Sequence, residues 1–164
     1  MGSKIRLAML LSACVVMFAA LTGSAAERSY QSAIGTWKLD VAKSSYGKMM
    51  PAPQFEQLVI TADNAETYKW SLVGTEGHGT TFASSYDGPI DGQDHPIKSS
   101  ESASTIAYSR TPSGGLRWVV KDQGGTVIEK ATRWLSSDGK TLTVKGTANF
   151  SGGALFISVF EKVQ

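Results

Sequence analysis

From residue 34 onward the apolar positions recur at every second residue, not at the 3.6-residue period of a helix. Tyr68, Trp70 and Leu72 alternate with Thr67, Lys69 and Ser71. Leu116, Trp118 and Val120 alternate with Arg117 and Lys121, and Leu142 and Val144 with Thr141, Thr143 and Lys145. A strand patterned this way buries one face and wets the other, as antiparallel sheets do. Turn signals separate the runs: Ala62-Asp63-Asn64, Glu76-Gly77-His78-Gly79, Pro112-Ser113-Gly114-Gly115, Gln123-Gly124-Gly125, Ser137-Asp138-Gly139-Lys140 and Ser151-Gly152-Gly153. Gly, Asn and Asp supply the positive φ that tight hairpins need. The pattern predicts about nine strands, over roughly 35–40, 55–61, 66–73, 80–86, 104–110, 116–121, 126–135, 141–148 and 154–162.

Two connections are longer. Residues 41–54 carry Pro51-Ala52-Pro53, and residues 87–103 are polar with Gly88, Pro89, Gly92 and Pro96. No segment after the first 26 residues reads as a long amphipathic helix. Short consecutive strands joined by tight turns must protect their edges, and closing into an up-and-down barrel removes the edges altogether. The expected fold is therefore all-β: a single antiparallel up-and-down barrel of about 8–9 strands. An open sandwich is the competing all-β arrangement. An outer-membrane barrel would need roughly 9–11 residues per strand and an apolar band towards lipid. The expected strands are shorter, and their alternate faces carry Lys, Thr and Ser.

Gly35-Thr36-Trp37 at the start of the first strand resembles the opening of the lipocalin-like (calycin) barrels. Lys43-Ser44-Ser45-Tyr46, Pro51-Ala52-Pro53, Tyr86-Asp87-Gly88 and Asp138-Gly139-Lys140-Thr141-Leu142-Thr143 extend the likeness over Ile34 to Lys162. Together they resemble a group of small exported bacterial lipocalin-like proteins, most of them uncharacterised. The resemblance implies that Gly35 and Trp37 close one end of the barrel. It also implies a late-strand arginine capping the Trp37 ring, with Arg133 the first candidate and Arg110 the second. The long C-terminal helix of typical lipocalins is absent from this sequence.

The N-terminal segment changes both the compartment and the charge. Lys4 and Arg6 precede an apolar run from Leu7 to Leu21, and Ser24-Ala25-Ala26 is a small-residue cleavage site. Residues 1–26 are expected to be a secretory signal, leaving 27–164 as the barrel domain in the periplasm or outside the cell. Leu11-Ser12-Ala13-Cys14 also fits a bacterial lipobox, which would anchor the protein through a lipidated Cys14. Removing 1–26 takes Lys plus Arg from 16 to 14 against 14 Asp plus Glu, so the formal net charge falls from +2 to 0. No basic arm remains for nucleic acid, and no transmembrane span is expected in the mature chain. Cys14 leaves with the signal, so no disulfide, thiolate nucleophile or cysteine metal site is expected.

The candidate ligand-binding residues are the aromatics of the middle and late strands: Tyr68, Trp70, Phe82, Tyr86, Tyr108, Trp118 and Phe156. Their alternation points many of them inward, where they either form ordinary core or line an apolar pocket with a few polar tips. Ser84, Ala107, Gly146, Ala148 and Ser158 would leave room if they share that face. The two histidines, His78 and His95, fall in turns, and only with carboxylates such as Glu76, Asp91 or Asp94 could they assemble a metal site. Asp87–Asp94 fails the calcium-loop pattern, with Pro89 at its third position and Lys98 at its twelfth. There is no Gly-x-Ser-x-Gly elbow. No catalytic residue, cofactor or metal is assigned, and an enzyme is not expected. The expected function is binding of a small, mostly apolar ligand inside the barrel. The alternative is a protein-interaction or scaffold module with a filled barrel, using loops 41–54 and 87–103 and Met49-Met50.

Overall fold

The computed structural model describes residues 30–47, 51–149 and 153–163. The expected leader 1–26, Cys14 and Met49-Met50 lie outside them. The described chain is all-β. Its strands are β1 (Gly35–Leu39), β2 (Ser45–Tyr46), β3 (Phe55–Asp63), β4 (Thr67–Thr75), β5 (Thr81–Pro89), β6 (His95–Pro96), β7 (Lys98–Ser99), β8 (Ala103–Arg110), β9 (Leu116–Asp122), β10 (Val127–Leu135), β11 (Thr141–Ala148) and β12 (Ala154–Lys162). A 3-10 turn, Val41–Lys43, is capped by the Asp40 carboxylate, which accepts from Lys43 N.

Each of the nine expected strands is present. The total is larger than expected because the two long connections hold three further strands of two residues each. Their sequences, Ser-Tyr, His-Pro and Lys-Ser, are too short to show a period. Order in the sheet follows order in the chain. Apart from β5 and β8, consecutive long strands pair antiparallel, and β1 returns to pair with β12 through Trp37↔Lys162 and Leu39↔Phe160. β2 continues along β12 beyond the 3-10 turn, with Tyr46 opposite Phe156. At one seam β5 and β8 do not pair directly. Segment 95–99 bridges them, with β7 on β5 and β6 on β8. The result is a nearly closed antiparallel barrel.

The meander gives the barrel two ends. Segments 30–34, 64–66, 90–94, 111–115 and 136–140 gather at one, the floor, and segments 40–47, 51–54, 76–80, 100–102 and 123–126 at the other, the mouth. Inward residues near the floor are sealed: Trp37, Ile60, Ile106, Leu116 and Leu142 have almost no exposure. No helix among the described residues is long and apolar enough to cross a membrane.

Candidate functional site

The floor is built around one acid. Asp63, part of the expected Ala62-Asp63-Asn64 turn, instead ends β3 at 3% exposure. A buried carboxylate is tolerated only when its charge is matched and its lone pairs are filled. Arg133 Nη2 donates to Asp63 Oδ2 at 2.9 Å, Arg110 Nη2 to Oδ1 at 2.9 Å, and Ala33 N to Oδ2 at 2.8 Å. Burial works against the Asp63 charge. The Arg133 guanidinium and these hydrogen bonds outweigh it and hold the carboxyl below its ordinary value. Arg110 also donates to Asn64 O and lies over the Tyr30 ring, 3.8 Å from its centroid.

Trp37 is fully buried at this end, and its Nε1 donates to Ala33 O at 2.9 Å. The cation over its ring is not an arginine. Lys162 Nζ sits 5.3 Å from the Trp37 centroid, whereas Arg133 lies 4.9 Å from the centroid of Tyr68. The physical reason is register: β1 pairs with β12, so Lys162 is directly opposite Trp37, while Arg133 is drawn to Asp63. Gly35 is required for the same closure. Its φ is +149°, and a Cβ there would lie 2.8 Å from Lys162 Cε.

Above the floor the predicted aromatics meet in one cluster. Tyr108 is its centre, with Tyr68 at 5.0 Å, Tyr86 at 5.1 Å and Trp118 at 5.9 Å between ring centroids. Their polar tips find partners within the protein. Arg133 Nη1 donates to Tyr68 Oη and Trp70 Nε1 to Tyr108 Oη, both at 2.8 Å, and Tyr86 Oη donates to Pro89 O at 2.8 Å. Burial pushes the Tyr68 and Tyr86 hydroxyls up to about 12. Tyr68, Trp70, Tyr86 and Tyr108 thus form a packed layer. Phe156 is buried over Gly146, where a Cβ would meet Phe156 Cζ at 2.8 Å. The space that Gly146 leaves is therefore taken by Phe156. Ala107 lies on the outer face, between inward Ile106 and Tyr108.

The mouth half differs. Glu56, Leu72, Ser84, Ser104, Trp118 and Glu129 alternate with buried neighbours on their strands and therefore face inward, yet each is only half-buried. The inner wall is less tightly sealed at this end than near the floor. Phe82 stands at the rim over Gly74. Tyr46 Oη and Ser158 Oγ are 2.9 Å apart on β2 and β12.

Two inward carboxyl groups mark this half, and neither was singled out in the sequence. Glu129 accepts from Trp118 Nε1 at 2.6 Å. Burial raises the Glu129 carboxyl above its ordinary value, and the Trp118 hydrogen bond only partly opposes this. Burial, reinforced by the charges of Glu129 and Glu101, pushes Glu56 up to about 7. The available signal was the alternation itself: Glu56 shares the parity of Leu58 and Ile60, and Glu129 that of Ala131 and Arg133.

The histidines lie apart from these two carboxyl groups. His78 Nδ1 is 3.2 Å from Glu76, and His95 Nε2 is 3.0 Å from Asp91. Among the described residues no group of three or more His, Cys, Asp or Glu side chains is placed to hold a metal ion. Comparison with protein-family models, with curated proteins and with solved structures finds no match to this chain.

Proposed function

We propose that the protein is an exported lipocalin-like barrel that binds one small amphipathic molecule in its mouth half. The observation that carries this reading is the change in exposure along the inner wall, from sealed side chains near the floor to half-buried ones near the mouth. An inward carboxyl group has no place in a filled apolar core, because burying it without a partner is costly. Glu56 and Glu129 fit a recess that holds water or a polar ligand group. The ligand's apolar body would lie against Leu72, Trp118 and the aromatic layer beneath them. Its hydrogen-bond donor would reach Glu129 or Glu56. This narrows the expected ligand from mostly apolar to amphipathic, with Trp118 the residue of the original seven best placed to touch it. Burial of ligand surface would contribute roughly 25 cal/mol per Å² before the costs of association.

The test is native mass spectrometry of the protein purified from its own cell envelope, followed by solvent extraction. An adduct that leaves on unfolding supports the reading and gives the ligand's mass. A clean apo mass, with no retention from a panel of fatty acids, isoprenoids, haem and long-chain amines, overturns it.

A second reading, a protein-interaction module, draws on a cleft of about 450 Å³ outside the mouth, lined by Phe55, Val73 and Phe82. Phe55 and Val73 are 36% and 45% exposed. A barrel that retains no ligand, but loses a cell-envelope partner on Phe55→Ser, would favour it.

A further inference from the structure

On the outer wall, away from the mouth, four strands present a row of directly paired residues. Ser109 on β8 is opposite Arg117 on β9, Arg117 opposite Thr132 on β10, and Thr132 opposite Lys145 on β11. Lys130 stands one outward position along β10, opposite Val119. The small Thr132 lies between Arg117 and Lys145, Ala107 and Ser109 flank the cations on β8, and the surface there is a cleft of about 490 Å³. None of the residues lining it is acidic.

Several lysines elsewhere on the barrel are neutralised, and the exposed Lys38, Lys98 and Lys140, which like this cluster form no ion pair among the described residues, do not line this cleft. Lys43 pairs with Asp40 and Glu161, Lys69 with Asp87, and Lys121 with Asp94. Among the described residues, Arg117, Lys130 and Lys145 take part in no ion pair. Arg117 Nε donates only to Ser109 Oγ, at 3.3 Å, which leaves its terminal nitrogens unengaged within the cleft. Three cations gathered on one face without an acidic neighbour raise the local positive potential. Three such cations around a cleft therefore call for an external anion.

The structure assigns this cleft, we infer, to an anionic polysaccharide. Three features favour that class. Arg117 and Lys145 are two strand spacings apart, about 10 Å, which suits charges carried on successive sugar units rather than one compact ion. Thr132 between the cations and Ser109 beside Arg117 supply hydroxyls for sugar hydrogen bonds. Trp134, 39% exposed on the same face of β10, offers a flat ring beside the row for stacking. A membrane surface fits a concave patch poorly, and nucleic-acid binding that rests on phosphate contacts usually recruits more cations than three. This site is separate from the interior recess, and its test does not depend on it.

The test uses the full chain and fluorescein-labelled dextran sulfate, followed by polarisation. Uncharged dextran, inorganic sulfate, a single-stranded oligonucleotide and anionic-lipid vesicles are run alongside. Dextran sulfate should bind and uncharged dextran should not. Arg117→Gln/Lys130→Gln/Lys145→Gln should weaken binding at least tenfold, and Trp134→Ala severalfold at unchanged net charge. Lys38→Gln/Lys98→Gln/Lys140→Gln, an equal charge loss at other exposed positions, should stay within twofold. Equal losses in the two triple variants would reduce the effect to net charge and overturn the site. Tighter binding of inorganic sulfate, oligonucleotide or vesicles than of dextran sulfate would overturn the polysaccharide class. Lys145→Gln alone, an exposed substitution that leaves the fold intact, should still cost about threefold, and no change there would also count against the site.

Discussion

Arg133 donates to Asp63 at 2.9 Å across the barrel floor, joining two strands whose bonded residues are 70 positions apart in the chain. Both side chains are almost without exposure, so the pair is held in a low dielectric. Breaking such a pair by removing one partner leaves a buried charge uncompensated, which costs about 3–5 kcal/mol. Asp63→Asn strands Arg133 and weakens Arg110, and should lower the unfolding free energy by that amount in urea titrations. A loss under 1 kcal/mol would show that the floor does not depend on this charge.

The same acid sets an acidic limit on stability. The folded carboxyl of Asp63 is held below its ordinary value of 3.8. The unfolded chain therefore takes up a proton first as pH falls, and the stability this group contributes above pH ~4 is lost as pH drops through its folded value. Urea midpoints measured from pH 6 to pH 2 should decline more steeply in the wild type than in Asp63→Asn. Parallel declines would mean that other carboxylates govern acid unfolding.

Glu56 acts in the opposite sense. Its folded value is pushed up to about 7 from an ordinary 4.5. Between those two pH values the folded protein keeps a proton that the unfolded chain has released, so stability falls as pH rises through the window. At ~1.4 kcal/mol per unit the effect is roughly 3.5 kcal/mol at most, reduced by whatever solvent at the mouth screens. Glu56→Gln should match the wild type near pH 4 and exceed it at pH 8. A variant no more stable than the wild type at pH 8 would rule out an ionised, poorly solvated carboxylate at this position.

Trp37 ties the N-terminal arm to the floor through its bond to Ala33 O, beneath the Lys162 ammonium. Trp37→Ala removes a large, fully buried ring and should cost about 3–5 kcal/mol. Lys162→Met keeps the aliphatic stem over Gly35 and removes only the charge, so it should cost about 1 kcal/mol or less. Comparing the two melting curves separates packing from cation–π attraction. A larger loss in Lys162→Met than in Trp37→Ala would reverse their order.

Gly146 tests whether the middle of the barrel is full. A Cβ at this position would meet Lys130 O at 2.5 Å and Phe156 Cζ at 2.8 Å. The first is backbone in the next strand and cannot swing aside, so Gly146→Ala should destabilise by about 1–3 kcal/mol. If the paired variant Gly146→Ala/Phe156→Leu gave back none of that loss, the ring would not be part of the obstruction.

Much of this architecture is legible in the sequence. Period-2 alternation and the Gly, Asn and Asp turns locate all nine long strands, because both signals are local: a pleated strand shows alternate residues to one face, and a hairpin needs particular backbone angles. The expectation that Gly35 and Trp37 close one end of the barrel comes from the resemblance, not from a local pattern. The inward parity of Glu56 and Glu129 was also there, in step with Leu58, Ile60 and Ala131. Tertiary structure decided what those positions meet. Strand tilt and stagger determine which residues of distant strands reach the same level of a barrel, and no local pattern encodes them. They set Lys162, not Arg133, over Trp37, and turned Asp63 from a turn residue into the buried centre of the floor. They packed Tyr68, Tyr86 and Tyr108 into a satisfied layer and left Glu56, Glu129 and Trp118 at the less tightly sealed end. On the outer wall the same pairing brought Arg117, Thr132 and Lys145, from three different strands, into one row.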